Sequence, residues 1–179
     1  ALAEQGRQAF NRVCAECHGT YGDNPSYPER NIPLDEIGTD RARYDALTRQ
    51  HHEDYQSNWF SHYGADTVIV DPPGYVAPPL DGIWASGPYF HNGSVPTLWH
   101  VLHPGERPVI WKRVNGDYDQ DRVGPAVETL SEMPRDLDVW TRRAHFDTRK
   151  FGKRAAGHRF PDELSEREKR AVLEYLKQL

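Results

Sequence analysis

Cys14-Ala15-Glu16-Cys17-His18 is the stretch on which the reading of this 179-residue chain turns, because it holds both of its cysteines. A redox pair of this spacing would want a strand–helix–strand setting, whereas Gln5–Val13 reads as a short helix running into the motif. A zinc site would need four ligands, usually with a second cysteine or histidine pair at fixed spacing. No second such cysteine pair exists, although the chain has nine histidines. The third reading is covalent attachment of a c-type haem. Each thiol adds to one haem vinyl, two intervening residues form a turn of matching span, and the next residue, His18, points its imidazole at the iron.

The flanking residues extend this reading. Gly6 and Phe10 are four apart and share a helix face. At the other end, Ser165 and Glu168 form a capping box, and Val172, Tyr175, Leu176 and Leu179 recur at helical spacing. A glycine on the first helix lets the last helix approach closely. Gly6, Phe10, Cys14-x-x-Cys17-His18 and Leu173-Glu174-Tyr175-Leu176 together resemble the class I cytochrome c fold. The expected architecture is therefore mainly α, with crossing N- and C-terminal helices and long irregular loops, in a single c-type cytochrome domain over residues 1–179.

Composition narrows the classes. Hydrophobic residues make up 37% and charged residues 27%, with 14 Pro and 14 Gly. A chain this polar fills a core poorly with side chains, and an apolar cofactor helps. The net charge of −5 argues against general nucleic-acid binding. No run approaches the roughly 18 apolar residues of a membrane span. Residues 142–159 stand apart: Arg142, Arg143, Arg149, Lys150, Lys153, Arg154 and Arg159 face one acid, Asp147, giving +6 and leaving −11 elsewhere. The segment reads as a solvated basic stretch or as a docking face for an acidic redox protein. The chain begins without Met and without a signal-peptide pattern. With thioether attachment, which is made outside the cytoplasm, this suggests an exported, periplasmic protein whose leader has been removed.

Along the chain, the pattern predicts helices over 3–14, near 40–50, over Pro96–Leu102 with Ser94 as cap, and over 164–179. Residues 51–80 read as irregular, with one short strand at Val68-Ile69-Val70, and residues 104–136 carry few periodic signals.

Ala77-Pro78-Pro79-Leu80-Asp81-Gly82-Ile83-Trp84-Ala85-Ser86-Gly87-Pro88-Tyr89-Phe90-His91-Asn92-Gly93-Ser94-Val95-Pro96-Thr97-Leu98 is the most distinctive block. With Cys17-His18-Gly19-Thr20-Tyr21-Gly22, Gly38-Thr39-Asp40, Phe146-Asp147-Thr148 and Ala156-Gly157-His158, it resembles the C-terminal haem domain of the di-haem cytochrome c peroxidase superfamily. It stands nearest the di-haem rubber oxygenase branch. That family carries two haem motifs and this chain carries one, so the resemblance implies the electron-transfer half.

The expected cofactor is one covalent haem c with its iron, held by Cys14, Cys17 and His18. Two residues compete for the sixth iron position. Met133, the only methionine, sits in Glu132-Met133-Pro134. His158 precedes the last helix, as the distal ligand of the resembled domain does, and Gly157 beside it would let the backbone come close to the haem plane. The resemblance places His91 near the haem rather than on the iron. Trp84, Trp99 and Trp111 are candidates to wall the haem or to bond its propionates. His103, which ends the helix after the distinctive block, is a weaker candidate. The expected function is one-electron transfer by a six-coordinate haem. An open sixth position would instead make a peroxidase- or oxygenase-like enzyme or a gas sensor, with His91 or Glu132 as acid–base groups. A haem module within a larger protein is the third reading.

Overall fold

A helix can cross another at backbone distance only where a side chain is missing, and Gly6 supplies that place. A computed structural model of the chain describes residues 1–59 and 72–179. In it, helix α1 (Leu2–Val13) packs on α8 (Glu166–Leu176). A Cβ on Gly6 would lie 1.9 Å from the Ala171 carbonyl oxygen. Phe10, fully buried, meets Tyr175 edge-on with ring centres 5.4 Å apart. Arg12 and Glu168 pair across the same junction at 2.6 Å. Ser165 and Glu168 close the capping box that starts α8.

The mainly α, class I cytochrome c-like description does not hold. Among the described residues 39% are helical and 17% lie in strands, which form two antiparallel sheets. The smaller sheet pairs β1 (Asn31–Pro33) with β2 (Gly74–Val76). The larger has the order β4-β3-β5, built from β3 (Ile110–Asp119), β4 (Gly124–Leu130) and β5 (His145–Asp147). It falls largely on residues 104–136, which carry few periodic signals. The reason is a register break between Arg113 and Tyr118. The break interrupts the alternation of inward and outward residues and places Asn115-Gly116 inside a strand, where that pair ordinarily signals a turn. The reversal lies further on, where Asp119 Oδ1 accepts the backbone N–H groups of Asp121 and Arg122.

The remaining helices are short: α2 (Ala15–His18), α3 (Leu34–Ile37), α4 (Ala42–Ala46), α5 (Arg49–Gln56), α6 (Leu98–Leu102) and α7 (Val139–Arg143). The helix expected near 40–50 is two helices, divided where Thr48 caps α5. The cap of α6 is Thr97 rather than Ser94, and the helix starts after it. The strand expected at 68–70 lies outside the described residues. One apolar core runs from Phe10 and Ala9 of α1 through Val172, Leu173 and Leu176 of α8 to Leu98 and Leu102 of α6. Cys14, Phe90 and Ala155 pack against its edge. Among the described residues no helix is long and apolar enough to cross a membrane.

Gly6→Ala tests the crossing. Alanine gains up to about 1 kcal/mol in helix propensity. With the Cβ only 1.9 Å from a backbone oxygen, overpacking falls at the upper end of its usual range of about 1–3 kcal/mol and wins, for an expected net loss of about 2 kcal/mol in denaturant unfolding. Gln8→Ala, on the exposed face of α1, should stay within about 0.5 kcal/mol of the parent.

Candidate functional site

His18 and His158 come from opposite ends of the chain, and the fold brings their rings to 6.2 Å between centres at an angle of 62°. Each histidine is held by a separate apparatus.

His18 ends α2, a single helical turn in which the Cys14 carbonyl accepts the N–H groups of both Cys17 and His18. The turn gathers both thiols and the imidazole at the end of α1. Both cysteines are free and half-buried. Burial, with Cys17 nearby, pushes the Cys14 thiol up to about 12. The His18 Nδ1 lies 2.9 Å from the Pro78 carbonyl. A carbonyl only accepts, so Nδ1 carries the proton and Nε2 keeps its lone pair. Tyr21 braces this side: its hydroxyl donates to the His18 carbonyl at 3.0 Å and accepts from the Leu80 N–H at 2.6 Å.

His158 sits at positive φ (48°) in a stretch, residues 153–159, that has no regular structure. Its place is fixed from outside. Its N–H donates to the Ile37 carbonyl at 2.6 Å. The N–H of Arg154 donates to the buried Asp40 carboxylate, and the Asn92 amide donates to the carbonyls of Gly152 and Arg154. Gly157 is pressed on Gly38 and Thr39, where a Cβ would meet backbone atoms at 2.3 Å. The chain behind it is therefore enough to require glycine at 157. Phe90 and Phe160 flank the ring, at 5.8 and 5.5 Å between centres. Burial first, then His18 and Arg107, push His158 down to about 4. Burial likewise lowers His18, opposed by the bond to Pro78. Both rings are neutral near pH 7, the form in which imidazole binds metals.

The separation of the rings suits an iron held by both: imidazole–metal bonds of about 2.0–2.1 Å, the length found for zinc, would put two ring centres roughly 6 Å apart. Buried polar atoms without a protein partner include His158 Nδ1, His91 Nε2, Thr39 Oγ1 and both amide atoms of Asn31. Among the described residues no three His, Cys, Asp or Glu side chains converge as a zinc site would need.

The other sequence candidates separate by their surroundings. His91 is half-buried and stacks on Tyr75 at 4.7 Å. Met133 lies in the turn between β4 and α7. Trp84 is 45% exposed on the turn Ile83–Ala85. The indole N–H groups of Trp99 and Trp111 are already spent, on Glu106 and on the Ser94 carbonyl. His103 stacks on Trp99 at 3.8 Å and has both ring nitrogens bonded, to the Trp99 carbonyl and to Glu166. Sequence reading missed Tyr21, Asn92 and Arg107 as bracing groups. Tyr21 and Asn92 lie inside blocks that carried the resemblance, whereas Arg107 has no local signal.

Comparison with known proteins bears on this frame. Residues 74–112 match the family model described as RoxA-like, cytochrome c-like. The match supports a cytochrome c-like, haem c-binding domain related to the rubber oxygenases. The chain is also similar to two uncharacterized proteins of Sinorhizobium fredii (strain NBRC 101917 / NGR234). With the protein y4iJ it shares 41% identity over 121 residues, covering 62% of this chain and 19% of that protein. With y4iM it shares 33% identity over 187 residues, covering 88% of this chain and 41% of that protein. The chain thus spans less than half the length of either relative.

Tyr21→Phe removes one hydroxyl and leaves the Leu80 N–H without its partner. The expected loss is about 1–3 kcal/mol of stability, read from the denaturant midpoint.

Proposed function

We propose that the chain carries one haem c, bound through Cys14 and Cys17 with His18 and His158 as axial ligands, and that it transfers single electrons. The observation that carries this reading is the 6.2 Å opposition of a neutral histidine in a Cys-x-x-Cys-His turn to a second, loop-borne neutral histidine. Bound haem supplies an iron that exchanges one electron between its ferric and ferrous states. The residues hold its surroundings constant through that exchange. Cys14 and Cys17 tether the porphyrin, and the Pro78 carbonyl fixes the tautomer of His18. Phe90 and Phe160 pack around the His158 ring. With His18 and His158 both holding the iron, no position would be left open for a substrate, and the potential would lie below that of a Met/His carrier.

The basic residues of 142–159 suit an acidic redox protein as partner, and thioether attachment suits a periplasmic setting. The length of the relatives favours a second form of the same reading, in which this unit is the electron-transfer half of a larger haem protein.

Absorption spectra of the haem-loaded protein test the proposal. The parent should be low-spin in both oxidation states and unmoved by carbon monoxide. His158→Ala should become high-spin and bind carbon monoxide when reduced, while Met133→Ala should match the parent. An unchanged His158→Ala spectrum would refute the ligand assignment. Pigment extracted from the parent by acidified organic solvent would refute covalent attachment.

A further inference from the structure

Arg107 is half-buried and makes no ion pair among the described residues; its hydrogen bonds run to carbonyl oxygens. Nε donates to His100 at 3.0 Å. Nη1 donates to Ala155 at 2.9 Å and Gly157 at 2.7 Å, and Nη2 to Val101 at 3.4 Å and His158 at 3.3 Å. Five acceptors match the five N–H groups of a guanidinium. Two belong to the end of α6, where helix carbonyls lack partners. The other three belong to the loop that carries His158. The same guanidinium lies 4.8 Å over the ring of Phe90, which flanks His158. Burial lowers Arg107 to about 10, which leaves it charged at neutral pH.

We infer that Arg107 is the positioning residue for His158: its planar fork ties the distal loop to α6 and holds the imidazole opposite His18. A loop without a backbone ladder needs outside donors for its carbonyls, and here one side chain meets those of residues 155, 157 and 158. Lysine cannot replace it. An ammonium has three donors around one point, whereas the fork spreads five in a plane. Without the fork the loop keeps the Ile37, Asp40 and Asn92 contacts to its backbone but loses the donors to the carbonyls of residues 155, 157 and 158 and the cation over Phe90, so His158 would turn away from His18 for part of the time.

This inference rests on the bis-histidine reading, and one experiment separates the two. Haem-loaded Arg107→Lys and Arg107→Gln are compared with the parent, with His158→Ala and with Gly6→Ala, by spin state, carbon monoxide binding of the reduced protein and thermal melting. The Arg107 variants should stay folded, gain a high-spin ferric fraction and bind carbon monoxide. Gly6→Ala, destabilised at a distant helix crossing, should stay low-spin and inert to the gas. If His158→Ala binds carbon monoxide and the Arg107 variants do not, the inference fails alone. If His158→Ala is unchanged, the underlying reading fails. Gas binding by Gly6→Ala, or failure of both Arg107 variants to fold, would place Arg107 in general stability and overturn its positioning role.

Discussion

Two imidazoles that do not touch must be kept a fixed distance apart, and neither piece of chain that bears them can do this by itself. His18 closes a helix of one turn, and His158 stands in a stretch with no regular structure. The separation of 6.2 Å is therefore a property of the surrounding frame. The His18 side hangs from the turn that closes on the Cys14 carbonyl, from the Pro78 carbonyl and from the Tyr21 hydroxyl. The distal side hangs from Ile37, Gly38, Asp40, Asn92 and Arg107. Every other feature of the site follows from supplying partners to backbone that has none of its own.

The position of the family match is instructive in this light. Residues 74–112 contain neither thiol and neither facing histidine. They do contain Pro78, which sets the tautomer of His18, and Phe90, Asn92 and Arg107, which set the place of His158. The likeness to cytochrome c-like proteins thus falls on the part of the chain that orients the two facing histidines. A site of this kind demands accuracy of its supports as much as of the groups they hold.

Local signals made part of this legible in the sequence. The Cys14–His18 turn, the Ser165 box and the spacing of Val172, Tyr175 and Leu176 act over a few residues and appear as such. The β3–β4 hairpin escaped because its register break removes the period on which strand reading depends. The cap of α6 was misplaced because Ser94 and Thr97 are both plausible there; Ser94 is instead fully buried, its carbonyl accepting from Trp111. Arg107 was invisible for another reason. In Gly105-Glu106-Arg107-Pro108 it looks like surface charge, and its role comes entirely from carbonyls some fifty residues away in sequence. The reading of His158, by contrast, came from resemblance and not from spacing.

The contact of Gly6 with Ala171 also bears on the reactivity of the first thiol. Bringing these two positions together closes a loop of nearly the whole chain, at an entropic cost of about 4–5 kcal/mol. With the ends joined, the Cys14 thiol is packed against the core and its reactive thiolate is suppressed. Loosening the far end of the chain would therefore be felt at residue 14, as a sulfur more exposed and more easily ionised.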